Sequence, residues 1–196
     1  MGTVLDMTTD APAEPRLVEL AQDGDRAAFD RLTRAHFGRV YGILFRLVGN
    51  HEDAEDMAQD CFVRAFKSLR FFRGEGSFAG WLTRIALHLA RDHQRRKGRG
   101  ARIIGLEDVL QEPAAPVRGP LREATSRELV AGLTRAIDRL PHNLRAALVL
   151  RVIEGMEYDE VAEVTGMRPG TVRTQVMKAR RLLVRSMRPW LEAGAR

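Results

Sequence analysis

Residues 157–188 run Glu157-Tyr158-Asp159-Glu160-Val161-Ala162-Glu163-Val164-Thr165-Gly166-Met167-Arg168-Pro169-Gly170-Thr171-Val172-Arg173-Thr174-Gln175-Val176-Met177-Lys178-Ala179-Arg180-Arg181-Leu182-Leu183-Val184-Arg185-Ser186-Met187-Arg188. The pattern predicts a helix over Tyr158–Thr165 that Gly166 stops, because glycine tolerates the left-handed conformation that ends helices. Pro169 suits the first turn of a second helix, where its missing N–H costs nothing. From 171 to 188 there are six Lys or Arg and no Asp or Glu. Val172, Val176, Ala179 and Leu183 recur at steps of four, three and four and so share one helix face. Thr171, Arg173, Thr174, Met177, Lys178, Arg181 and Arg185 fall mostly on the rest of the cylinder. A buried stripe backed by a cationic, hydrogen-bonding stripe is what a helix needs in a DNA major groove. Ala162 stands four residues before Gly166 and Val172 six after it. That is the helix-turn-helix pattern: a small residue at the crossing, glycine in the turn, an apolar residue packing the second helix. An ordinary αα-hairpin with a solvated basic face has the same spacing; the acid-free cationic face favours DNA.

The whole chain agrees with a polyanionic partner. Its 196 residues carry a net charge of +6, and 29 of the 32 cationic residues are Arg, whose planar fork bonds phosphate and guanine bidentately. Genome-wide codon bias toward Arg is a competing source of that excess. Length allows one large or two small domains, and a hydrophobic fraction of 44% is enough for real cores. A single cysteine, Cys61, excludes an intrachain disulfide and a thiolate zinc cluster, and its apolar-periodic surroundings predict a buried, inert thiol. No apolar run is long enough to span a bilayer. Residues 1–14, acidic and Pro-containing without a signal-peptide core, are expected to form a disordered arm, and a cytoplasmic location follows by default.

Two helical blocks flank a different middle: 15–98, a linker over 99–121 and 122–191. The linker is marked by Gly100, Gly105, Pro113, Pro116, Gly119 and Pro120, with room for a short turn at 106–110. In the first block a short helix over 17–22 precedes one over 25–48, whose buried face is Phe29, Leu32, His36/Phe37, Val40 and Leu44. Asn50 caps a third helix that carries Glu52 and Asp53 in its first turn and continues through Phe62, Phe66 and Leu69. Residues 71–76 form a loop, and Ser77 caps a fourth helix over 78–97. Charge is segregated here. Residues 51–60 hold five acidic residues and no Lys or Arg, whereas 84–102 hold seven cationic residues and one acidic one, Asp92. Most charge runs are solvated faces, but an acidic patch repels phosphate, so the pair suits a protein that touches a basic protein surface and a nucleic acid together.

These residues carry a family resemblance. Gly24-Asp25-x-x-Ala28-Phe29, Asp53-Ala54-Glu55-Asp56-x-x-Gln59-Asp60-x-Phe62, Phe72-Arg73-Gly74-Glu75-Gly76-Ser77-Phe78, Trp81-Leu82-x-Arg84-Ile85-Ala86 and Ala90-Arg91-Asp92-x-x-Arg95-Arg96 resemble region two of bacterial extracytoplasmic-function (ECF) RNA polymerase sigma factors. Ile137-Asp138-x-Leu140-Pro141, Leu150-Arg151, Glu154-Gly155, Tyr158-x-Glu160-Val161-Ala162 and Gly170-Thr171-Val172-Arg173 leading to Lys178-Ala179-Arg180 resemble region four. One departure is His88, where the family often has Asn; it bears on sequence preference or pH response.

The resemblance implies an all-α, two-domain promoter-recognition subunit, with no catalytic residue, cofactor or metal of its own. It implies that Asp53, Glu55, Asp56, Gln59 and Asp60 dock on the clamp helices of the polymerase largest subunit. It implies that the loop Arg70, Phe71, Phe72, Arg73, Gly74, Glu75, Gly76 and Ser77 captures an unpaired base of the minus-ten element, which Arg84, His88, Arg91, Arg95 and Arg96 also contact. Stacking on a base is open to Phe71 and Phe72, while Phe78 and Trp81 suit core packing better. Thr171, Arg173, Thr174, Met177, Lys178 and Arg181 would read the minus-thirty-five element while region four rests on the flap of the second-largest subunit. An anti-sigma protein is a compatible further partner.

Two rivals remain from the residues alone. A free-standing helix-turn-helix regulator would bind paired half-sites as a dimer, and the acidic and basic helices of the first block argue against it. An enzyme would draw on His36, His51, His88, His93, His142 or Cys61, but these show no catalytic spacing with a partnering carboxylate, and no Gly-rich phosphate loop follows a strand.

Overall fold

The computed structural model describes residues 13–98 and 122–193; the amino-terminal arm and the linker with its turn at 106–110 lie outside the described residues. Among these, every regular element is helical: α1 Glu14–Gln22, α2 Arg26–Val48, α3 His51–Ser68, a 3-10 turn Leu69–Phe71, α4 Phe78–Gly98, α5 Arg122–Asp138, α6 His142–Leu148, a π-type turn Val149–Ile153, α7 Tyr158–Thr165 and α8 Pro169–Ala193.

Local chemistry sets the boundaries. The Asp25 carboxylate accepts from the Ala27 and Ala28 N–H groups at 2.9 and 3.1 Å, satisfying donors that no helical carbonyl reaches. Gly49, at φ 74°, ends α2 with its N–H on Phe45 O. Asn50 then starts α3 by accepting from Asp53 N at 3.1 Å, and Ser77 Oγ starts α4 by accepting from Gly80 N at 3.0 Å. Glu157 and Glu160 close a reciprocal capping box on α7, and Gly166 ends it at φ 70°. The first helix starts earlier than the periodicity indicates, at Glu14 rather than Leu17, because Pro15 fits its first turn.

Apolar faces converge on one buried cluster. Leu17, Val18 and Ala21 of α1 join Leu32, Ile43, Leu44 and Leu47 of α2, Ala54, Ala58 and Cys61 of α3, and Leu82, Ala86 and Leu89 of α4. The same cluster continues into the second block through Ala147, Val149, Leu150, Val161, Ala162, Val172 and Val176. The two blocks are thus docked on each other. A second cluster of Leu140, Leu144, Leu148, Ala179 and Leu182 packs α6 on α8. The structure adds detail to the pattern at two places. Phe66 is half exposed and touches Phe29 edge-on at 5.0 Å between ring centroids, since α3 turns that position to the rim of the bundle. On α8 the packed face takes in Leu182, which is buried, beside Leu183, which is partly buried against both smaller apolar clusters, because the stripe drifts around a helix of 3.6 residues per turn.

Polar bonds lock the docking. Arg145, 6% exposed, donates from Nη1 to Leu47 O at 2.9 Å and from Nη2 to Leu140 O at 3.3 Å, with Asp138 Oδ1 3.6 Å away. The half-buried Glu154 carboxylate faces Arg39 at 3.2 Å and Arg46 at 3.6 Å on α2.

Candidate nucleic-acid and polymerase interface

The acidic end of α3 is partly satisfied within the fold. Asp53 accepts from Lys97 Nζ at 2.7 Å and lies 3.6 Å from His93 Nε2, both on α4. The Lys97 hydrogen bond is the main reason its carboxyl is held below the usual range, with the charges of His93 and Lys97 helping against desolvation. Glu55, Asp56, Gln59 and Asp60 are exposed. Asp56, Gln59, Asp60 and Val63 line a shallow cleft with His93 and Arg96.

The loop after α3 is anchored at both ends. Phe72 turns inward, with ring centroids 5.9 Å from Phe78 and 5.3 Å from Trp81, and Phe78 is buried as core. Phe71 turns outward, 66% exposed, with the Arg70 guanidinium 4.6 Å above its ring. Gly74 and Gly76 adopt φ 74° and 83°, conformations that favour glycine and let the backbone fold tightly between those anchors. Gln22 on α1 donates its side-chain amide to Leu69 O at 3.0 Å and Phe72 O at 2.7 Å. A cleft of about 530 Å³ opens between α1 and the loop, lined by Val18, Gln22, Phe72, Arg73, Gly76 and Ser77 among others.

From this loop α4 runs on with Arg84, His88, Arg91 and Arg95 exposed at steps of four, three and four, hence in one row. Arg96 is exposed beside them, near Arg64 and Asp92. Arg84 is engaged across the docked interface: its Nη2 lies 3.3 Å from Glu163 Oε1 of α7, and Glu163 also lies against Gly76. His142 is partly buried near Arg91 of α4 and Arg145, and its buried Nδ1 has no hydrogen-bond partner. Burial, then the charges of Arg91 and Arg145, push its pKa down to about 4.

On α8, Val172, Val176 and Ala179 are buried against α7 and the core, so Thr171, Arg173, Thr174, Met177, Lys178 and Arg181 all face outward, with Met177 60% exposed. Thr174 donates its hydroxyl to Gly170 O at 2.9 Å, so toward a ligand it offers acceptor lone pairs. Arg173 and Arg151 each hold a guanidinium 4.9 Å from the Tyr158 ring centroid. Tyr158 thus orients Arg173 at the start of the exposed face. Cys61 is fully buried, and burial pushes its thiol up to about 12, which makes it inert as the sequence predicts.

Three surfaces therefore surround one helical body: an acidic patch, a loop running into a cationic row, and a helix-turn-helix with a cationic outer face. Residues 32–100 match the family described as Sigma-70 region 2, and residues 131–183 match Sigma-70, region 4. The RNA polymerase sigma-H factor of Pseudomonas aeruginosa is 34% identical over 91% of this chain and 95% of its own length. The chain belongs to the ECF sigma factor family. The ECF RNA polymerase sigma-E factor of Escherichia coli K12 is 32% identical over 88% of this chain and 93% of that protein. A solved structure of CnrH in complex with the cytosolic domain of CnrY superposes with a TM-score of 0.64 at 28% identity, covering 88% of this chain and 95% of that one. This sigma factor is accordingly an initiation factor that confers promoter specificity on RNA polymerase. Matches to both blocks in one order set aside a free-standing regulator. No helix among the described residues is long and apolar enough to cross a membrane, and no three described His, Cys, Asp or Glu residues group as a metal site.

Gln22, Arg145, Glu154 and Glu163 escaped sequence reasoning. Each has a partner 47 to 115 residues away, and no local pattern marks such a pair.

Proposed function

We propose that the three surfaces divide the work of promoter recognition. The exposed carboxylates Glu55, Asp56 and Asp60, with Gln59, dock on a basic face of core polymerase, the clamp helices of the largest subunit, and Asp53 holds that helix to α4 through Lys97. Loop 70–77 receives an unpaired base of the minus-ten element. Arg84, His88, Arg91, Arg95 and Arg96 line up the strand by its phosphates and base edges. Thr171, Arg173, Thr174, Met177, Lys178 and Arg181 read the minus-thirty-five element, while region four rests on the flap of the second-largest subunit. The observation that carries this reading is the succession of exposed Phe71, a cleft beside loop 72–77, and an exposed row of Arg84, His88, Arg91 and Arg95 on the helix that follows. An aromatic ring followed by cations suits single-stranded nucleic acid, where bases stack and phosphates pair.

The domain limits belong to the same proposal: an arm over 1–14, a region-two unit over 15–98, a linker over 99–121 and a region-four unit over 122–191. Two modules on one tether, both held by polymerase, gain effective concentration without tight binding by either. The factor performs no chemistry itself and works where polymerase works, in the cytoplasm. The structural relative CnrH was solved in complex with a second protein, the cytosolic domain of CnrY, which supports a further protein partner here, and we take that partner to be an anti-sigma protein.

Run-off transcription with core polymerase tests the reading. Specific transcripts should require this protein, and Arg91→Ala with Arg95→Ala should abolish them on duplex templates while core binding persists. Undiminished transcription by that variant would remove the α4 row from the site.

A further inference from the structure

The loop proposed to receive the base is held by a residue that precedes the matched region-two segment. Gln22 closes α1, ahead of the matched region-two segment that begins at residue 32. Its amide nitrogen donates to two carbonyls, Leu69 O at 3.0 Å and Phe72 O at 2.7 Å. With two carbonyl partners the nitrogen must face the loop, which fixes the amide orientation. These oxygens bracket the 3-10 turn Leu69–Phe71, whose own Phe72 N–H also returns to Leu69 O at 2.9 Å. The far end of the loop is held separately by the Ser77 cap of α4. Helix α1 is a firm support, since Leu17, Val18 and Ala21 are buried against the core. Gln22 also lines the cleft, so one side chain both walls the cleft and fixes the backbone opposite.

We propose that Gln22 is a positioning residue for promoter opening: its amide ties the 3-10 turn to α1 and thereby sets the width of the cleft that receives the unpaired base. The inference rests on the base-capture reading above. A base is a rigid plate, and a loop displaced by about 1 Å no longer grips it, a misplacement that costs up to about a hundredfold in comparable sites. Phe72 is the intermediary. Its carbonyl is bonded by Gln22 while its ring packs on Phe78 and Trp81, so loss of the bond frees the loop beside exposed Phe71 without opening the core.

The test uses holoenzyme carrying Gln22→Met, Gln22→Glu or Gln22→Lys. Methionine keeps the shape without donors, glutamate sets an acceptor against two acceptors, and lysine restores a donor. The probes are an unpaired minus-ten strand containing 2-aminopurine, whose fluorescence reports capture, and permanganate reactivity of duplex promoter thymines, which reports opening. Gln22→Met and Gln22→Glu should weaken strand capture and slow opening about tenfold, the net worth of one hydrogen bond. Gln22→Lys should stay near wild type, and all three should keep wild-type affinity for core polymerase and for minus-thirty-five duplex. Wild-type capture by the Met and Glu variants would overturn the proposal. So would an equal loss in all three variants accompanied by a lower melting temperature, the mark of a purely structural side chain. Replacing 71–77 with a neutral loop separates the two ideas. If that swap leaves capture and opening intact, the base-capture reading falls; if it abolishes them while the Gln22 variants are silent, only the role of Gln22 falls.

Discussion

Arg145 is the side chain through which the docking of the two blocks can be weighed. Its guanidinium makes two hydrogen bonds, to Leu47 O at 2.9 Å and Leu140 O at 3.3 Å, each worth about 1.5–3 kcal/mol for a charged donor. Against them stands the cost of burying the charge, several kcal/mol in real proteins. That cost is visible in the protein: desolvation is the main cause lowering the Arg145 pKa, Asp138 offsets it in part, and Nε has no partner. Arg145→Met deletes both sides of this balance. It leaves no buried charge behind, because the Asp138 side chain is 39% exposed, and Leu47 O keeps a second donor in Gln94 Nε2 at 3.4 Å. The net effect should be within about 1 kcal/mol of wild type. Asp138→Ala instead strips the guanidinium of its counter-charge and should cost about 1–2 kcal/mol after discounting for solvent around Asp138. Arg145→Ala adds a cavity to the lost bonds and should cost about 3–5 kcal/mol. Urea unfolding gives the free energies. Energy transfer between dyes on Lys67→Cys and Arg180→Cys, exposed positions on the two blocks, reports docking, and buried Cys61 does not compete for label. Equal damage from Arg145→Met and Arg145→Ala would refute the reasoning, because the hydrogen bonds would then outweigh the burial cost. The docking matters for function. Promoter elements about 25 base pairs apart are separated by roughly 85 Å at 3.4 Å per base pair. With Glu163 touching Arg84, α4 and α7 cannot stand that far apart, so the same dye pair should lose transfer when holoenzyme binds a promoter.

Asp56→Arg with Asp60→Arg should weaken association with core polymerase without altering helical circular dichroism, whereas Asp53→Ala should cost at most about 1 kcal/mol of stability, since Lys97 is largely exposed; co-purification and thermal melts check both. Arg173→Ala should cost about 1–3 kcal/mol on the preferred promoter and relax preference at a few base pairs, while Arg185→Ala should weaken all sequences alike and flatten the salt slope by about one, as a promoter-variant panel at several salt concentrations would read out. His142 should make the fold acid-sensitive. Its folded pKa of about 4 lies below the 6.5 of a free imidazole, so above 6.5 neither state binds the proton, and below it the unfolded chain binds it first. Stability should therefore fall as pH drops, by about 2 kcal/mol at pH 5, and His142→Gln should remove that part of the slope in urea titrations at pH 7 and 5.

Helices, caps and surfaces were legible in the sequence because their causes are local. Asn50 and Ser77 bond the nearest free N–H groups, and Gly166 adopts a positive φ where a helix must stop. The 3.6-residue period assigned Val172, Val176 and Ala179 to the buried face of α8 and left Arg173, Met177 and Lys178 outside. It left the degree of burial open at the margins, as at half-exposed Phe66 and partly buried Leu183, where burial depends on which neighbour arrives. The charge pattern marked α3 and α4 but did not show that Asp53 spends its charge on Lys97, since distance along the chain says nothing of distance in space.

The sequence by itself determined an all-helical chain in two blocks, the helix-turn-helix, and the faces left exposed, because propensity, capping and periodicity act within a few residues. Only the tertiary structure decided what those faces meet. It placed Gln22 on the loop carbonyls, drove Arg145 into the end of α2, closed Glu154 between Arg39 and Arg46, and set Glu163 on Arg84. Each pair joins residues far apart in the chain, and each depends on the apolar cluster that pulls the blocks together. Burial of that cluster is non-directional; the polar groups it carries along acquire partners only once the packing has fixed where they lie.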